Sequence, residues 1–389
     1  MNLDRYTVNW NYPTNVKCGV GRVQDLPQLA RSLGIKKPLL ITDPGLATLS
    51  PVLSTLTLLD GADLHAGLFH QIKGNPTGQN VADGVAAYRE GGFDGVIALG
   101  GGSALDAAKA VAMMVGQSGP LWDYVDEGDN WLRIKTEGMA PLVAIPTTAG
   151  TGSEVGRASV ITHEAEHAKK IIFHPRMLPA IVILDPVLST GLPARLTAAT
   201  GMDALSHSLE AYCSPFYHPM ASGIALEGMA LVREWLPRAV ADGTDLEARM
   251  QMLVASSMGA TAFQRGLGAM HALAHPLGAR FDAHHGMLNA ILMPYVLKAN
   301  QAEIDERITA AARYLGLPNP SFAAFLDWVL RLREEVGIPH TLKSIGINES
   351  CLETIGSEAV ADGSHGTNPI PFTPQQYRAI CAAALDGLL

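Results

Sequence analysis

Cysteine is scarce in this 389-residue chain, and long apolar runs are missing. Four widely spaced cysteines without a C-x-x-C pair suit neither a disulfide scaffold nor a zinc–thiolate site, so we expect a reducing cytoplasm. No apolar run reaches the roughly 18 residues that span a bilayer, which predicts no membrane partner. The N-terminal stretch MNLDRYTVNWNYPTN lacks the apolar core of a secretory signal. The cysteines are Cys18, Cys213, Cys351 and Cys381.

Basic charge is also lacking. The formal net charge is −9, and no basic tract is present to neutralise phosphates, which excludes a nucleic-acid partner. Hydrophobic residues make up 48% of the chain and charged residues 17%, as in an ordinary globular enzyme. The length leaves room for two sizeable domains, each with its own core.

The front half alternates between strand and helix patterns. Near-continuous apolar runs separated by helix-length segments predict a parallel sheet covered on both faces. From about residue 190 the strand signals fade, and helical spacing continues to the C-terminus. We therefore predict an α/β domain over residues 1–192 and an all-helical domain over 193–389. The apolar runs are PLLITD at 38–43, GVIALG at 95–100, PLVAIP at 141–146 and AIVILD at 180–185.

A glycine run, Gly100–Gly102, follows one of these predicted strands and precedes a helix. Ser103 is predicted to cap that helix, and Asp106 is predicted to complete a capping box by accepting the backbone N–H of Ser103. The free N–H groups at such a helix start can bind a pyrophosphate. The run is not the G-x-G-x-x-G dinucleotide fingerprint, so an ordinary tight turn explains it equally well on its own.

Two further features suit a dinucleotide. Asp43 ends the first long strand, where a carboxylate can accept hydrogen bonds from ribose hydroxyls and repel a 2′-phosphate; the alternative is a turn before Pro44. Together with the glycine run, Asp43 favours NAD over NADP. A hydroxyl-rich loop also follows the strand PLVAIP, although such loops are common without a ligand. Its hydroxyls belong to Thr147, Thr148, Thr151 and Ser153.

Histidines concentrate in the back half, with four of the 13 between positions 271 and 285. Asp203 and His207 are one helical turn apart, as are His271 and His275, so each pair projects from one helix face. Asp203, His207, His271 and one histidine of the 284–285 pair can surround a divalent cation. Nitrogen and carboxylate ligands without thiolate suit iron(II) or zinc. Any single histidine is better explained as a core or solvated residue, but two such pairs favour a site.

The segments GMDALSHSLEAY, GLGAMHALAHPLG and HHGMLNAILMP resemble the metal-binding half of the iron-containing (group III) alcohol dehydrogenases. That family also has a GGGS-x-x-D-x-A-K stretch and a PTTAGTGSE stretch, found here at 100–109 and 146–154. The motifs occur in family order from Asp43 to Pro369, so the resemblance covers nearly the whole chain.

The resemblance implies roles for individual residues. His275 matches a family residue beside the nicotinamide, which would orient substrate or pass a proton to solvent. Gly101, Gly102 and Ser103 would contact the pyrophosphate with Asp106 close by. The other implied cofactor contacts are Asn75, Thr147, Thr148 and Lys169. The implied metal ligands are Asp203, His207, His271 and His285, the last of which directly precedes Gly286.

The implied activity is metal-dependent hydride transfer between a small primary alcohol, or its aldehyde, and NAD. The metal would be Fe²⁺, with Zn²⁺ possible, and would act as a Lewis acid on the hydroxyl. The resemblance also implies an active site in a cleft between a dinucleotide-binding and a metal-binding domain. A homodimer or larger homo-oligomer is expected, with an edge-strand contact through the N-terminal segment.

Two alternatives remain open. A dehydroquinate-synthase-like lyase also uses NAD and a metal, but it needs basic residues around an anionic substrate, and the metal-binding segments offer only Arg265 and Arg280. A non-catalytic module that retains the fold is disfavoured by the intact ligand set. His284 departs from the proline that is common in the family, and could ligate, line the pocket or point to solvent. Gln264–Arg265 and NPIP at 368–371 also depart, near the expected substrate entrance.

Overall fold

The computed structural model describes residues 14–166 and 168–389. By packing, these residues divide into two units. One unit runs to Thr148 and also includes Gly152–Gly191; the other comprises Ala149–Thr151 and Leu192–Leu389. The division thus groups Ala149–Thr151, which lies inside the predicted first domain, with the helical unit. Residues 1–13, for which an edge-strand contact is predicted, lie outside the described residues.

A parallel sheet of six strands forms the centre of the first unit. Two further strands form a separate antiparallel pair. The strands are β1 (Asn15–Cys18), β2 (Pro38–Ile41), β3 (Gly67–Phe69), β4 (Gly95–Gly100), β5 (Leu142–Pro146), β6 (Ala158–His163), β7 (Ala168–Phe173) and β8 (Ile181–Leu184). The order in the main sheet is β1-β8-β5-β4-β2-β3, and β6 pairs with β7. The predicted parallel sheet is confirmed.

The four apolar runs form β2, β4, β5 and β8, and every residue of these strands is buried. Continuous burial is what a sheet covered on both faces requires, and it explains why these strands do not alternate with polar residues. Alternate positions such as Ile97 and Leu99 join one apolar core on a single face of the sheet. Strands β1 and β3 have weaker apolar patterns and were not predicted.

Four helices accompany the sheet: α1 (Leu26–Ser32), α2 (Ser50–Asp60), α3 (Gly78–Gly91) and α4 (Gly102–Met114). The predicted capping box at the start of α4 is wrong. The helix begins two residues earlier than a Ser103 cap would require, with Gly101 as the N-cap and no side-chain cap. Ser103 instead donates to the carbonyl of Gly74 at 2.5 Å. Asp106 accepts from the backbone N–H of Val160 at 3.0 Å.

The pair of strands β6 and β7 was not predicted, although β7 carries Lys169. Its residues are mostly half-buried, and AKKIIF combines charged and apolar positions without a clear period. The backbone N–H of Thr162 in β6 donates to the carbonyl of Pro76 at 2.7 Å, which ties this hairpin to the segment that precedes α3.

The second unit is helical. Residues 192–389, all of which the structure describes, form no strand, and the predicted helical half is confirmed. Every residue from Thr197 to Cys213 is buried, so α5 is the central helix of the unit. No helix in the described part of the chain is long and apolar enough to cross a membrane. The helices are α5 (Ala194–Cys213), α6 (Pro219–Ala241), α7 (Leu246–Ala262), α8 (Ala269–Phe281), α9 (His285–Tyr314), α10 (Phe322–Glu335), α11 (Ile355–Ala361) and α12 (Pro374–Asp386).

Candidate metal centre

Three helices bring the four predicted ligands together. Helix α5 carries Asp203 and His207, α8 carries His271, and His285 is the first residue of α9. One ligand atom from each of these residues lies within 4.8 Å of the other three. This spacing is close to what a single cation spans with bonds of about 2.0–2.2 Å to nitrogen and oxygen.

Gly286 permits the close approach of α9 to α5. A Cβ at this position would lie 2.5 Å from the carbonyl oxygen of Ala199 and 3.0 Å from Cβ of Asp203. Real side chains do not reach such distances without a shift of the backbone. The glycine that follows His285 in the sequence is therefore the residue that lets His285 reach Asp203.

His207 is held by the backbone of the PTTAGTGSE stretch. Its Nδ1 lies 3.2 Å from the carbonyl oxygen of Gly150. Because a carbonyl only accepts, the proton is on Nδ1 and the lone pair is on Nε2. Complete burial lowers the pKa of His207 to about 4, so the ring is neutral and able to bind a metal near neutral pH.

His271 is oriented by a buried carboxylate. Its Nδ1 is 2.6 Å from Oε2 of Glu210, while Oε1 of Glu210 accepts the backbone N–H of Met270 at 2.7 Å. A carboxylate bonded to the outer nitrogen of a histidine is a common support for a metal ligand. Burial lowers the pKa of His271, but the charge and hydrogen bond of Glu210, together with the charges of Asp203 and Asp362, outweigh burial and leave the pKa above its ordinary value.

The charge balance of the centre suits a divalent cation. Asp203 is 2% exposed and Glu210 is 5% exposed. Within the described chain, their ion-pair partners are histidines, His285 for Asp203 and His271 for Glu210, rather than lysine or arginine. Buried carboxylates without a cationic partner are costly. A divalent cation would compensate both, so these residues fit the metal that the sequence predicts.

His275 lies beside the four converging residues but is not one of them. Its ring stacks on that of His285 with centroids 5.4 Å apart, and its Nδ1 is 2.8 Å from Oδ2 of Asp362. Burial would raise the pKa of Asp362, but His275 and the N–H of Ser364 outweigh it and the pKa is lowered. The ionised carboxylate therefore holds the Nδ1–H of His275 in one orientation.

His284 has a structural role that its sequence position did not reveal. It is exposed and is the N-cap of α9, where its Nδ1 accepts the backbone N–H of Met287 at 3.4 Å. It is not among the four residues whose ligand atoms converge. Of the three roles left open by the sequence, ligation is thus the one that the geometry does not favour.

Sequence reasoning missed several residues at the centre. Glu210 follows His207 by three positions, so the same helical spacing that identified Asp203 and His207 also pointed to Glu210. Asn289 likewise follows His285 by one turn. Asp362 had no local signal, because it is 87 residues from His275 in the sequence.

The predicted dinucleotide contacts gather at the carboxyl ends of neighbouring strands. Strand β4 pairs with β2 and with β5, which brings Asp43, Gly101 and Thr148 to one edge of the sheet. A Cβ on Gly101 would lie 3.4 Å from Thr148, and one on Gly100 would lie 3.6 Å from Oδ2 of Asp43. The strand order reverses between β2 and β4, and open α/β sheets bind ligands at such a point.

Asp43 also makes the turn that the sequence offered as its alternative role. Its Oδ1 accepts the backbone N–H groups of Gly45 at 2.9 Å and Leu46 at 3.1 Å. These bonds fix the carboxylate at the end of β2 and point Oδ2 towards Gly100. The turn and the cofactor role are therefore compatible.

The other predicted contacts fall into three groups. Asn75 follows Gly74, whose carbonyl accepts from Ser103, and Lys169 pairs in register with Thr162 beside Pro76. The second group is occupied with protein partners: Ser153 Oγ donates to Asp106 at 2.5 Å, and buried Lys109 lies 3.2 Å from the same carboxylate. In the third group, Gly102 after β4 is the first residue of α4, the backbone N–H of Thr147 after β5 donates to the carbonyl of Gly100, and Thr151 belongs to the helical unit.

Both arginines considered for an anionic substrate are already engaged. Arg265 is buried and donates to the carbonyl of Phe216 and to Ser222 Oγ, each at 2.6 Å. Arg280 donates to Glu358 at 2.6 Å. These contacts disfavour the dehydroquinate-synthase-like alternative.

The α/β unit has glycine-rich and hydroxyl-rich loops at a sheet switch point, and the helical unit has a histidine–carboxylate cluster; both features are those that the resemblance to the iron-containing alcohol dehydrogenases predicts. Two family descriptions match the chain: "Iron-containing alcohol dehydrogenase" over residues 13–186, and "Fe-containing alcohol dehydrogenase family, C-terminal" over residues 197–385. The chain belongs to the iron-containing alcohol dehydrogenase family and is an oxidoreductase of that class. The resemblance inferred from the motifs is confirmed.

Individual relatives cover nearly the whole chain. The 4-hydroxybutyrate dehydrogenase of Cupriavidus necator is 39% identical, over 94% of this chain and 97% of its own length. The NAD-dependent methanol dehydrogenase of Bacillus methanolicus is 33% identical, over 97% of this chain and 100% of its own length. A crystal structure of 1,3-propanediol oxidoreductase is similar with a TM-score of 0.92 and 34% identity, covering 97% of this chain and 100% of that one.

Glu210→Gln should weaken metal binding, by about 10–100-fold as is typical for loss of a ligand's hydrogen-bond partner. Met270 and His271 contact different oxygens of Glu210, and a glutamine replaces one of these oxygens with an NH₂ group that cannot accept. Its NH₂ can instead donate to Nδ1 of His271 and force the ring proton onto Nε2, where the metal should bind. Zinc titration of the chelator-treated protein measures the affinity, with the exposed Glu247→Gln as the control. Equal affinities in Glu210→Gln and wild type would contradict the tautomer argument.

Proposed function

We propose that this protein transfers a hydride between a small primary alcohol, or its aldehyde, and NAD. Asp203, His207, His271 and His285 hold the divalent metal. The observation that carries the proposal is the convergence of these four ligand atoms within 4.8 Å in a buried, carboxylate-rich site. The similarity to an NAD-dependent methanol dehydrogenase supports the reaction and the coenzyme, and the similarity to a 1,3-propanediol oxidoreductase supports the reaction.

The chain's own residues prepare the reaction. A cation bound at the centre supplies Lewis acidity that makes an alcohol hydroxyl more acidic. Gly150 and Glu210 fix the Nδ1–H tautomers of His207 and His271, so that their Nε2 lone pairs face the centre. Loss of a hydride from carbon and a proton from the hydroxyl turns the alcohol into an aldehyde. His275, held by Asp362, is the residue that we assign to moving that proton or orienting the substrate.

The coenzyme assignment rests on the carboxyl edge of the sheet. Gly101 caps α4 without a side chain, which leaves the first-turn N–H groups of a 13-residue helix for a pyrophosphate. Asp43 lies across from Gly100 at the strand reversal, where ribose hydroxyls are bound in folds of this kind. NAD, which accepts the hydride, is therefore the coenzyme we propose.

The metal and the cellular setting complete the proposal. We assign Fe²⁺, with Zn²⁺ as the alternative, because three imidazoles and one carboxylate suit either ion. A reducing cytoplasm is proposed from the four widely spaced cysteines, which form no C-x-x-C pair. A homodimer or larger homo-oligomer is proposed from the family alone.

Metal-loaded protein should reduce NAD with a panel of primary alcohols that includes 1,3-propanediol and 4-hydroxybutyrate, whereas Asp203→Ala and His271→Ala should lose both metal and activity. Each change removes one of four ligands and weakens affinity and geometry together. Metal content and NADH formation are measured on the same preparations. A lyase or a non-catalytic protein would give no NADH with any alcohol.

The neighbouring histidines 284 and 285 provide a matched control for this experiment. His285→Ala should lose the metal. His284→Ala should keep it and lose only the helix cap, a cost of about 1 kcal/mol in the free energy of unfolding. Metal loss in His284→Ala with retention in His285→Ala would show that the fourth ligand is assigned to the wrong histidine.

Asp43→Ser should shift coenzyme preference from NAD towards NADP. The change removes the charge that repels a 2′-phosphate and forfeits hydrogen bonds to the ribose hydroxyls. The ratio of kcat/KM for the two coenzymes is the measurement, with metal content as the control for folding. A ratio equal to that of wild type would count against the role of Asp43.

His275→Ala and Asp362→Asn should both keep the metal but lower turnover, by roughly a hundredfold for His275→Ala, as is usual for loss of a general acid–base group. Asp362→Asn removes the charge that fixes the Nδ1–H of His275. It should therefore alter the pH profile of kcat in the same direction as His275→Ala does. Metal analysis and pH-dependent kinetics distinguish these effects. Loss of metal from His275→Ala would instead indicate a ligand.

A further inference from the structure

Asn289 lies one helical turn after His285 on α9 and is fully buried. Its amide nitrogen Nδ2 is 2.8 Å from Oδ1 of Asp203 and 3.1 Å from Nε2 of both His271 and His285. A single side-chain nitrogen therefore contacts the ligand atoms of three of the four proposed metal ligands.

The hydrogen bonds of this amide do not balance. Its NH₂ group contacts three atoms, of which Oδ1 of Asp203 is an acceptor and Nε2 of His271 is another, because Glu210 keeps the proton of His271 on Nδ1. At the other end, Oδ1 is buried and has no hydrogen-bond partner among the described residues. Buried polar atoms are normally satisfied, and an exception at a candidate ligand site calls for a functional explanation.

A cation changes this balance. It takes the lone pairs of Asp203, His271 and His285, and its charge repels the N–H hydrogens of the amide. A half-turn about the last side-chain bond exchanges the oxygen and nitrogen of an asparagine without moving the backbone. After that turn the oxygen faces the positive charge, and it is a donor that Fe²⁺ and Zn²⁺ both accept.

We propose that Asn289 is part of the metal centre, with its carboxamide oxygen turned towards the cation as an additional oxygen donor. The inference rests on the proposed metal function. The competing role is that Nδ2 only ties the three ligands together. The two roles have opposite consequences, because an oxygen donor strengthens metal binding, whereas an N–H donor to the ligands competes with the metal.

The test measures zinc affinity of chelator-treated full-length protein against a chromophoric competitor. Asn289→Leu, which has a similar volume and no donor, should bind zinc about 10–100-fold more weakly than wild type. Asn289→Asp should bind at least as tightly as wild type, because a carboxylate presents oxygen in either orientation. Asn300→Leu removes another buried amide from α9, one that bonds to Asn368, and should leave the zinc affinity unchanged.

Equal or tighter zinc binding by Asn289→Leu would overturn the proposal. Absence of zinc binding by wild type would instead refute the proposed metal site itself. If Asn289→Leu does not fold, wild-type protein with ¹⁵N-labelled asparagine gives a second measurement, with the Asn289 resonance assigned from Asn289→Asp. Its side-chain NH₂ signal should shift when zinc is added, and an unshifted signal would also overturn the proposal.

Discussion

The metal centre depends on the burial of ionisable side chains along one face of α5. Asp203, His207 and Glu210 follow one another at helical spacing in a helix that is buried on all sides. Buried polar groups need partners, and these three side chains also find partners outside α5, in Asn289, the carbonyl of Gly150 and the backbone N–H of Met270. The polar side chains on this face need hydrogen-bond or ionic partners. The first turns of α8 and α9, which carry His271 and His285, provide them.

Backbone groups, as well as side chains, position the partners of Asp203 and His207. Gly286 lets α9 approach Asp203, and the carbonyl of Gly150 fixes the tautomer of His207. Gly150 itself has no room for a side chain, since a Cβ would lie 2.9 Å from the carbonyl oxygen of Thr200. The PTTAGTGSE stretch, which the sequence suggested only as a cofactor loop, thus also positions a proposed metal ligand.

Local patterns in the sequence predicted the parts of the structure that local geometry decides. The runs that became β2, β4, β5 and β8 are apolar because both faces of the sheet are covered. The four-residue spacing of Asp203 and His207 predicted a shared helix face, because residues one helical turn apart lie on the same side of a helix. Partners distant in sequence could not be predicted this way: the start of α4, the role of Asp106 and the pairing of His275 with Asp362 depend on tertiary contacts. Their side chains are ordinary turn or helix residues until the fold brings a partner to them.

A proton and a metal ion would compete for the same lone pair of His271 at this centre. The rings of His207 and His271 stack with centroids 4.9 Å apart, yet their pKa values shift in opposite directions. Burial keeps His207 neutral above a pKa of about 4, whereas Glu210 favours the protonated form of His271. A metal that binds His271 as proposed would have to displace that proton from Nε2, so its affinity should fall as pH falls below the raised pKa of His271. Glu210 therefore acts in two senses. It strengthens proton competition at low pH, and it holds the remaining proton on Nδ1, which is the condition for metal binding once the pH is high enough.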